Sequence, residues 1–544
     1  MQEKIDQLHQ RRASLAAAGG EQRVAKQHEQ GKLTARERIE ELLDEHSFQE
    51  SAVYAVHRAN RFGMSDKDVP SDGVVVGQGT VLGRLVHVAS QDFTILGGTI
   101  GELHADKIAQ AANMALRTGS PFVCINDSGG ARVQEGVDAL NGCGHIFYAN
   151  VLLSGVVPQI SILAGTCAGA AAYSPALTDF IIQTKQAQMY ITGPDVIKQV
   201  TGEEVSHEDL GGAAVHAGRS GVVHFVAEDD AQAALIAKKL LSFLPQNNTE
   251  DPPEVEHDGR ADDDPFLDTV IPEDYRKPYD VRDVIARVVD DADFLEVHAS
   301  WAANAVVGFG RIVGRTVGVI ANQPNQLSGV LDINASDKIA RFVRFCNAFN
   351  IPLLTFVDTP GFMPGVDQEY NGIIRHGAKV LFAYSAATVP KVTVVLRKAF
   401  GGAYIAMCAR ALGADKVFAW PSAEIAVMGA EGAAGIVFRK EIEAADDKAA
   451  KRAERQVAVL FTLSILGTLG FIVSYFAIDR MTSVFLPFIG LTNLLNVMLG
   501  VCLGIALLGI GFGAVHWAKT LMSDEEVVEQ RHAIASSDAA RADF

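Results

Sequence analysis

The chain contains one domain written twice. Gly77-Gln-Gly79-Thr-Val-Leu-Gly83-Arg84 returns as Gly308-Phe-Gly310-Arg-Ile-Val-Gly314-Arg315, an offset of 231 residues. Asp106-Lys107-Ile108-Ala109 returns as Asp337-Lys338-Ile339-Ala340 at the same offset. The run Phe122–Asn126 into Asp127-Ser-Gly-Gly130 reappears, still at 231, as Leu353–Val357 into Asp358-Thr-Pro-Gly361, and the offset has drifted only to 232 by Pro158 and Pro390. A period this long is a duplicated domain, because solenoid repeats recur every few tens of residues. Two homologous lobes point to a site where lobes meet, each presenting one reactant to the other.

Length and composition set the outer bounds. A chain of 544 residues is too long for one core. A hydrophobic content of 48% with 50 Gly suits buried α/β structure plus something membrane-like. The formal net charge of −18 argues against nucleic acid as a partner and favours solubility in a reducing cytoplasm. The six cysteines (Cys124, Cys143, Cys167, Cys346, Cys408 and Cys502) have neither zinc-ribbon nor redox spacing and read as buried free thiols. The polar N-terminus has no apolar run of the kind a signal peptide carries.

Along the chain, residues 1–50 have helical spacing and the pattern alternates from about Gly73. Short β-branched runs (Val74–Val76, Val81–Val86, Phe122–Ile125, Gln159–Leu163) are separated by helix-like stretches such as Asp106–Thr118. That alternation predicts βαβ units and a sheet covered by helices. An N-terminal lobe over 1–250, an acidic Pro-rich linker over 251–274 and a C-terminal lobe over 275–450 follow. The segment 451–544 is different: Val457–Ile478 and Leu494–Trp517 are each apolar over about the length a bilayer-spanning helix needs. They predict a two-helix transmembrane hairpin with an acidic tail.

Each lobe holds a Gly-rich strand-to-helix turn, Ala168-Gly169-Ala170-Ala171-Ala172-Tyr173 in the first and Phe400-Gly401-Gly402-Ala403-Tyr404 in the second. Small residues there let a ligand carbonyl approach adjacent backbone N–H groups at a helix start, where free amides and the helix dipole stabilise an oxyanion. Close packing accounts for many such runs taken singly. Their presence in both halves points to transfer between two carbonyl-containing partners, each passing through an enolate-like state. His145 and His376 lie near these turns and read as structural. Ser128 lacks a nucleophile elbow, and its Asp-Ser-Gly-Gly context reads as a turn.

Several stretches then carry a specific resemblance over roughly residues 1–450: Asp127-Ser-Gly-Gly-Ala-Arg-Val-Gln-Glu-Gly136, Tyr173-Ser-Pro-Ala-Leu-Thr-Asp179, Asp358-Thr-Pro-Gly-Phe-Met-Pro-Gly365, Arg397-Lys-Ala-Phe-Gly-Gly-Ala-Tyr404 and Ala423-Glu-Ile-Ala-Val-Met-Gly-Ala430. The chain resembles the β (carboxyltransferase) subunit of biotin-dependent acyl-CoA carboxylases, of the propionyl-CoA and actinobacterial acyl-CoA carboxylase kind. The resemblance implies tandem crotonase-like (ClpP-like) spiral α/β domains assembled as a homo-hexamer. It implies carboxybiotin brought by a biotinylated α subunit, an acyl-CoA acceptor, and no metal. In agreement, there is no Met-Lys-Met biotinylation motif and no Walker-type loop. Carried over by position, Gly169 and Ala170 polarise the acyl-CoA carbonyl, and Gly402 and Ala403 that of biotin. The resemblance also implies substrate-binding roles for Gly129, Gly130, Ala131, Tyr173, Gly361, Phe362, Gly401, Tyr404 and Ile405. The implied chemistry passes a carboxyl group through two enolates and needs no side-chain base.

Two departures stand out. Ile405 occupies the position where propionyl-type members carry Asp on the acyl-pocket wall, which puts propionyl-CoA specificity in doubt. After the Glu441–Asp447 region the family continues with a soluble closing segment, whereas this chain enters the apolar stretches. Its end resembles the membrane anchor of actinobacterial Rieske iron–sulfur subunits without their cluster ligands. Two alternatives therefore stay open beside the carboxylase subunit. One is a membrane-associated acyl-CoA decarboxylase, disfavoured because the apolar stretches hold no acidic residue for an ion path. The other is a non-catalytic respiratory membrane fusion.

Overall fold

The computed structural model describes residues 1–459 apart from positions 68, 258–263, 275 and 458. The duplication is visible strand by strand. The first sheet has the order Gln49–Ser51, Val74–Val81, Arg84–Gln91, Phe122–Ser128, Gln159–Ala168, Phe180–Thr184, Phe225–Ala227. The second runs Leu295–Val297, Ala305–Ile312, Arg315–Asn322, Leu353–Thr359, Lys391–Phe400, Lys416–Ala419. In both, an antiparallel hairpin leads into parallel strands joined by helices such as Glu102–Thr118 and Ile333–Ala348.

The run Val81–Val86, read as one strand, is instead a hairpin corner. Leu82 and Gly83 both have positive φ, 53° and 74°, the signature of a two-residue turn whose twist matches the strands it joins. Leu82 is a costly residue for that conformation, which is why the sequence hid the turn. At the N-terminus the expected helices form over Gln2–Ala16, Glu21–Glu29 and Ala35–Leu42, the last opened by a Thr34/Glu37 capping box.

The repeated Asp-Lys-Ile-Ala motif has a structural use. Lys107 is buried and donates to the Ser71 and Val74 carbonyls at 2.7 and 2.6 Å. Lys338 donates likewise to the carbonyls of His298, Trp301 and Ala305 at 2.9, 2.9 and 2.6 Å. Each lysine thus ties its helix to the start of the first hairpin strand. Burial pulls the two ammonium groups down to about 8 and about 7 respectively.

One apolar core runs through both lobes. Phe180 of the N-lobe stacks edge-on against Phe309 and Phe345 of the C-lobe, with ring centroids 5.9 and 4.6 Å apart. At the rim of that seam Arg341 donates to the Thr178 carbonyl at 2.9 Å, and His224 and His298 lie ring over ring at 4.1 Å. The five cysteines among the described residues are buried and unpaired. The expected hairpin over Val457–Ile478 and Leu494–Trp517 lies, but for residues 457 and 459, outside the described residues. Among the described residues no helix is long and apolar enough to cross a membrane.

Candidate active site

Both Gly-rich turns sit where a strand has run to its end. Gln159–Ala168 passes into the helix Ala170–Ala176, and Lys391–Phe400 into the helix Gly401–Ala406. Gly169 has φ 59° and ψ −125°, and Gly401 also has φ 59°, a backbone that side chains resist. These two glycines are 232 residues apart, the same offset as Pro158 and Pro390. The register therefore pairs Gly169 with Gly401, Ala170 with Gly402 and Ala171 with Ala403. The sequence reading joined Gly169 and Ala170 to Gly402 and Ala403, one residue out of step. Ala170 and Gly402 are the positions common to both choices.

The Gly169 N–H is spent on the Tyr190 carbonyl at 3.0 Å. The next amides, at the head of each helix, have no partner within the helix. Gly402 is exposed, and the heavy atom nearest to a Cβ built on it is Phe362 Cε2 at 3.9 Å. Ala170 is half-buried, and Ala171 and Ala403 are buried. Beside each turn runs a loop from the neighbouring strand. Gly129, Gly130 and Ala131 follow Phe122–Ser128, and Gly361 and Phe362 follow Leu353–Thr359. Each loop is pinned alike: Ile100 N–H donates to the Gly130 carbonyl at 2.8 Å, and Leu331 N–H to the Gly361 carbonyl at 3.0 Å. Gly130 must be glycine, since its φ is 96° and a Cβ would come within 2.7 Å of the Ala168 carbonyl oxygen.

Tyr173 and Tyr404 are not counterparts. Tyr173 is 51% exposed, edge-on to Phe147, whereas Tyr404 packs on the core. The register counterpart of Tyr173 is Ile405, 232 residues on and 43% exposed. Both therefore stand open beside their turns.

The surrounding side chains hold no evident nucleophile. Ser128 is buried, with its Oγ accepting from the Gly130 N–H at 3.1 Å, so it caps the turn. Burial pushes the Cys124 and Cys143 thiols up to about 12 and about 11, away from the reactive thiolate. His145 and His376 are held in equivalent pairs, Nδ1 to Asp106 at 3.0 Å and to Asp337 at 2.8 Å. What the arrangement offers chemically is backbone: two equivalent amide sites able to stabilise developing oxyanions. Sequence reasoning missed the carboxylates behind them. Asp127 is ion-paired to Lys32 and Arg38 at 2.7 and 3.1 Å, and Asp358 to Arg397 at 3.0 Å. The repeat placed both aspartates, but nothing in it linked Asp127 to residues some 90 positions away.

Comparison with known proteins converges on the same reading. The family model described as carboxyl transferase domain matches residues 26–464, and that described as QcrA subunit N-terminal region matches residues 421–544. The chain is 62% identical over 455 residues to the methylmalonyl-CoA carboxyltransferase 12S subunit of Propionibacterium freudenreichii subsp. shermanii, covering 84% of this chain and 87% of that one. It is 56% identical over 468 residues to the propionyl-CoA carboxylase beta chain of Saccharopolyspora erythraea, covering 83% and 86%. Among solved structures, a transcarboxylase 12S hexamer with methylmalonyl-CoA and methylmalonic acid bound superposes with a TM-score of 0.83 at 61% identity, covering 84% of this chain and 88% of that one. The α/β, crotonase-like fold implied by the family resemblance is thereby shown. The chain belongs to the carboxyl transferase domain family and is the carboxyltransferase subunit of a biotin-dependent acyl-CoA carboxylase or transcarboxylase.

Proposed function

We propose that the N-lobe turn at Gly169–Ala170 receives the thioester carbonyl of a short acyl-CoA, and that the C-lobe turn at Gly401–Ala403 receives the carbonyl of biotin carried on a partner subunit. The observation that carries this reading is the pair of turns in one register, with the same φ at Gly169 and Gly401. The C-lobe turn suits a planar ring, because the space over Gly402 is open where any other residue would place a Cβ. Carboxylated biotin, when bound, supplies the carboxyl group to be transferred. The chain's own part is to hold each carbonyl against amides that need no reorganisation as charge develops, typically worth a factor of about 10²–10³ per donor. Gly129, Gly130 and Ala131 on one side, and Gly361 and Phe362 on the other, shape the walls. Tyr173 and Ile405 stand at the open mouths, and Tyr404 backs the C-lobe turn.

We also propose that the working site lies between chains, the N-lobe of one against the C-lobe of another. Large apolar side chains stand exposed on the helices beside each turn, Val137 and Tyr148 in the N-lobe, Ile374 and Phe382 in the C-lobe, at 73, 68, 77 and 68%. Exposed apolar clusters of this kind mark contact surfaces. The similar transcarboxylase is a hexamer, which supports a hexamer here.

The test of the reaction is a carboxyl-transfer assay with a carboxylated biotinyl partner and acetyl-, propionyl- or long-chain acyl-CoA. The account expects transfer to propionyl-CoA or a near homologue. Transfer to none of them, in an assembled preparation, would refute it. A membrane anchor in the segment after residue 459 rests on hydropathy alone. It predicts a full-length protein that needs detergent and a truncation at Lys451 that does not.

A further inference from the structure

Just before each turn the strand carries the same defect. Asn126 pairs with Leu163 but Ser128 pairs with Cys167, so Gln159–Ala168 bulges by two residues opposite Asp127. In the C-lobe Val357 pairs with Val395 and Thr359 with Ala399, the same bulge opposite Asp358. At the bulge each strand also changes neighbours. Ile160–Leu163 pair with Phe180–Gln183, whereas Thr166–Ala168 pair with Gln188–Tyr190. Val392–Val395 pair with Lys416–Ala419, whereas Lys398–Phe400 pair with Glu424–Ala426. A bulge that bends a strand onto a new neighbour sets the direction in which the rest of that strand points. Three residues further on lie Gly169 and Gly401.

The buried aspartate is what fills each bulge. Asp358 accepts from the Lys398 N–H at 3.1 Å and from Arg397 Nε at 3.0 Å, both inside the bulged segment. In the N-lobe the position equivalent to Arg397 is Gly165, and a Cβ there would overlap the Asp127 carboxylate. The cations come instead from the N-terminal segment, Arg38 on the helix Ala35–Leu42 and Lys32 in the loop before it. Arg38 Nη2 donates both to Asp127 at 3.1 Å and to the Ala164 carbonyl of the bulge at 3.0 Å, and Lys32 closes on the same carboxylate at 2.7 Å.

We infer that Asp127 and Asp358 are positioning residues, each holding the bulge that aims one turn, so that each governs one half of the transfer. This rests on the assignment of biotin to the C-lobe turn and acyl-CoA to the N-lobe turn. The test uses full-length protein with a carboxylated biotinyl partner and propionyl-CoA. Asp358→Asn should lower kcat on the order of 10²-fold, the cost of roughly 1 Å of misplacement, with KM for propionyl-CoA little changed. It should also slow the loss of CO2 from the carboxylated partner in the absence of acyl-CoA. Asp127→Asn should lower kcat for transfer while leaving that acyl-CoA-independent loss at the wild-type rate. Amide hydrogen exchange should rise at Gly401–Ala406 in the first variant and at Ala170–Ala176 in the second, each in its own lobe. Because these variants strand a buried cation, Lys32→Met is the milder companion. Arg38 still holds Asp127 there, and a smaller fall in kcat with unchanged melting is expected. Wild-type kcat and exchange in Lys32→Met and Asp358→Asn would overturn the inference, as would equal loss in both lobes from either aspartate variant. If the wild type itself transfers nothing, the assignment of function fails, and the exchange data still decide whether the aspartates aim the turns.

Discussion

The two lobes solve one mechanical problem with different parts. Both bend a strand by a two-residue bulge, fill the bulge with a buried aspartate and end in a glycine of φ 59°. The C-lobe takes its compensating cation from the bulged strand itself, Arg397, while the N-lobe takes Arg38 from a helix near the start of the chain and Lys32 from the loop before it. A shared anion with different cations indicates that the duplicated element is the bent strand and its turn. The means of neutralising the aspartate were free to vary, because a buried carboxylate needs some partner and not a particular one. It also makes residues 26–42 part of the N-lobe site: Arg38 is buried and bonded to Asp230 as well, at 2.9 Å.

The sharpest way to break the equivalence of the lobes is at the paired positions Gly402 and Ala170. Gly402→Val should lower kcat by roughly 10²–10³ while the melting temperature holds, since the added side chain meets open space and blocks only the amide. Near-normal transfer in that variant would remove the C-lobe turn from the site. Gly169 is the wrong place for the matching experiment. Its φ of 59° makes any side chain strained, a cost of order 1–3 kcal/mol that would appear as lost stability. Ala170→Val is the clean counterpart.

A smaller effect sharpens the comparison between Tyr173 and Ile405, the residues standing open at equivalent positions. Ile405→Asp should shift selectivity among acyl-CoA chain lengths toward propionyl-CoA by about 1–3 kcal/mol, read as the ratio of kcat/KM values. An unchanged ratio would take Ile405 off the acyl-pocket wall.

Much of this was legible in the sequence because it was written twice. The repeat placed the paired Gly-x-Gly segments, the Asp-Lys-Ile-Ala helices and the two turns. The same arithmetic, with the drift to 232 at Pro158 and Pro390, already matched Gly169 to Gly401, and choosing Gly402 with Ala403 ignored it. Other features left no local trace. The hairpin corner at Leu82 hid because a leucine with positive φ has no sequence signature. The Arg38–Asp127 contact hid because it joins elements 89 residues apart, and the bulges because β-register is a property of two strands and not of one. The seam of Phe180, Phe309 and Phe345 was equally silent, since each phenylalanine alone reads as ordinary core.

The central claim is that one active site is assembled from the N-lobe turn of one chain and the C-lobe turn of another, and complementation tests it most directly. Ala170→Val and Gly402→Val chains, each inactive alone, would be co-expressed with distinct tags and the doubly tagged assembly assayed for transfer to propionyl-CoA. With a site shared across a symmetric interface, random pairing restores one intact site in each mixed pair, and roughly a quarter of wild-type activity should return. A mixed assembly as inactive as either parent would contradict the account and put both turns of a working site in a single chain.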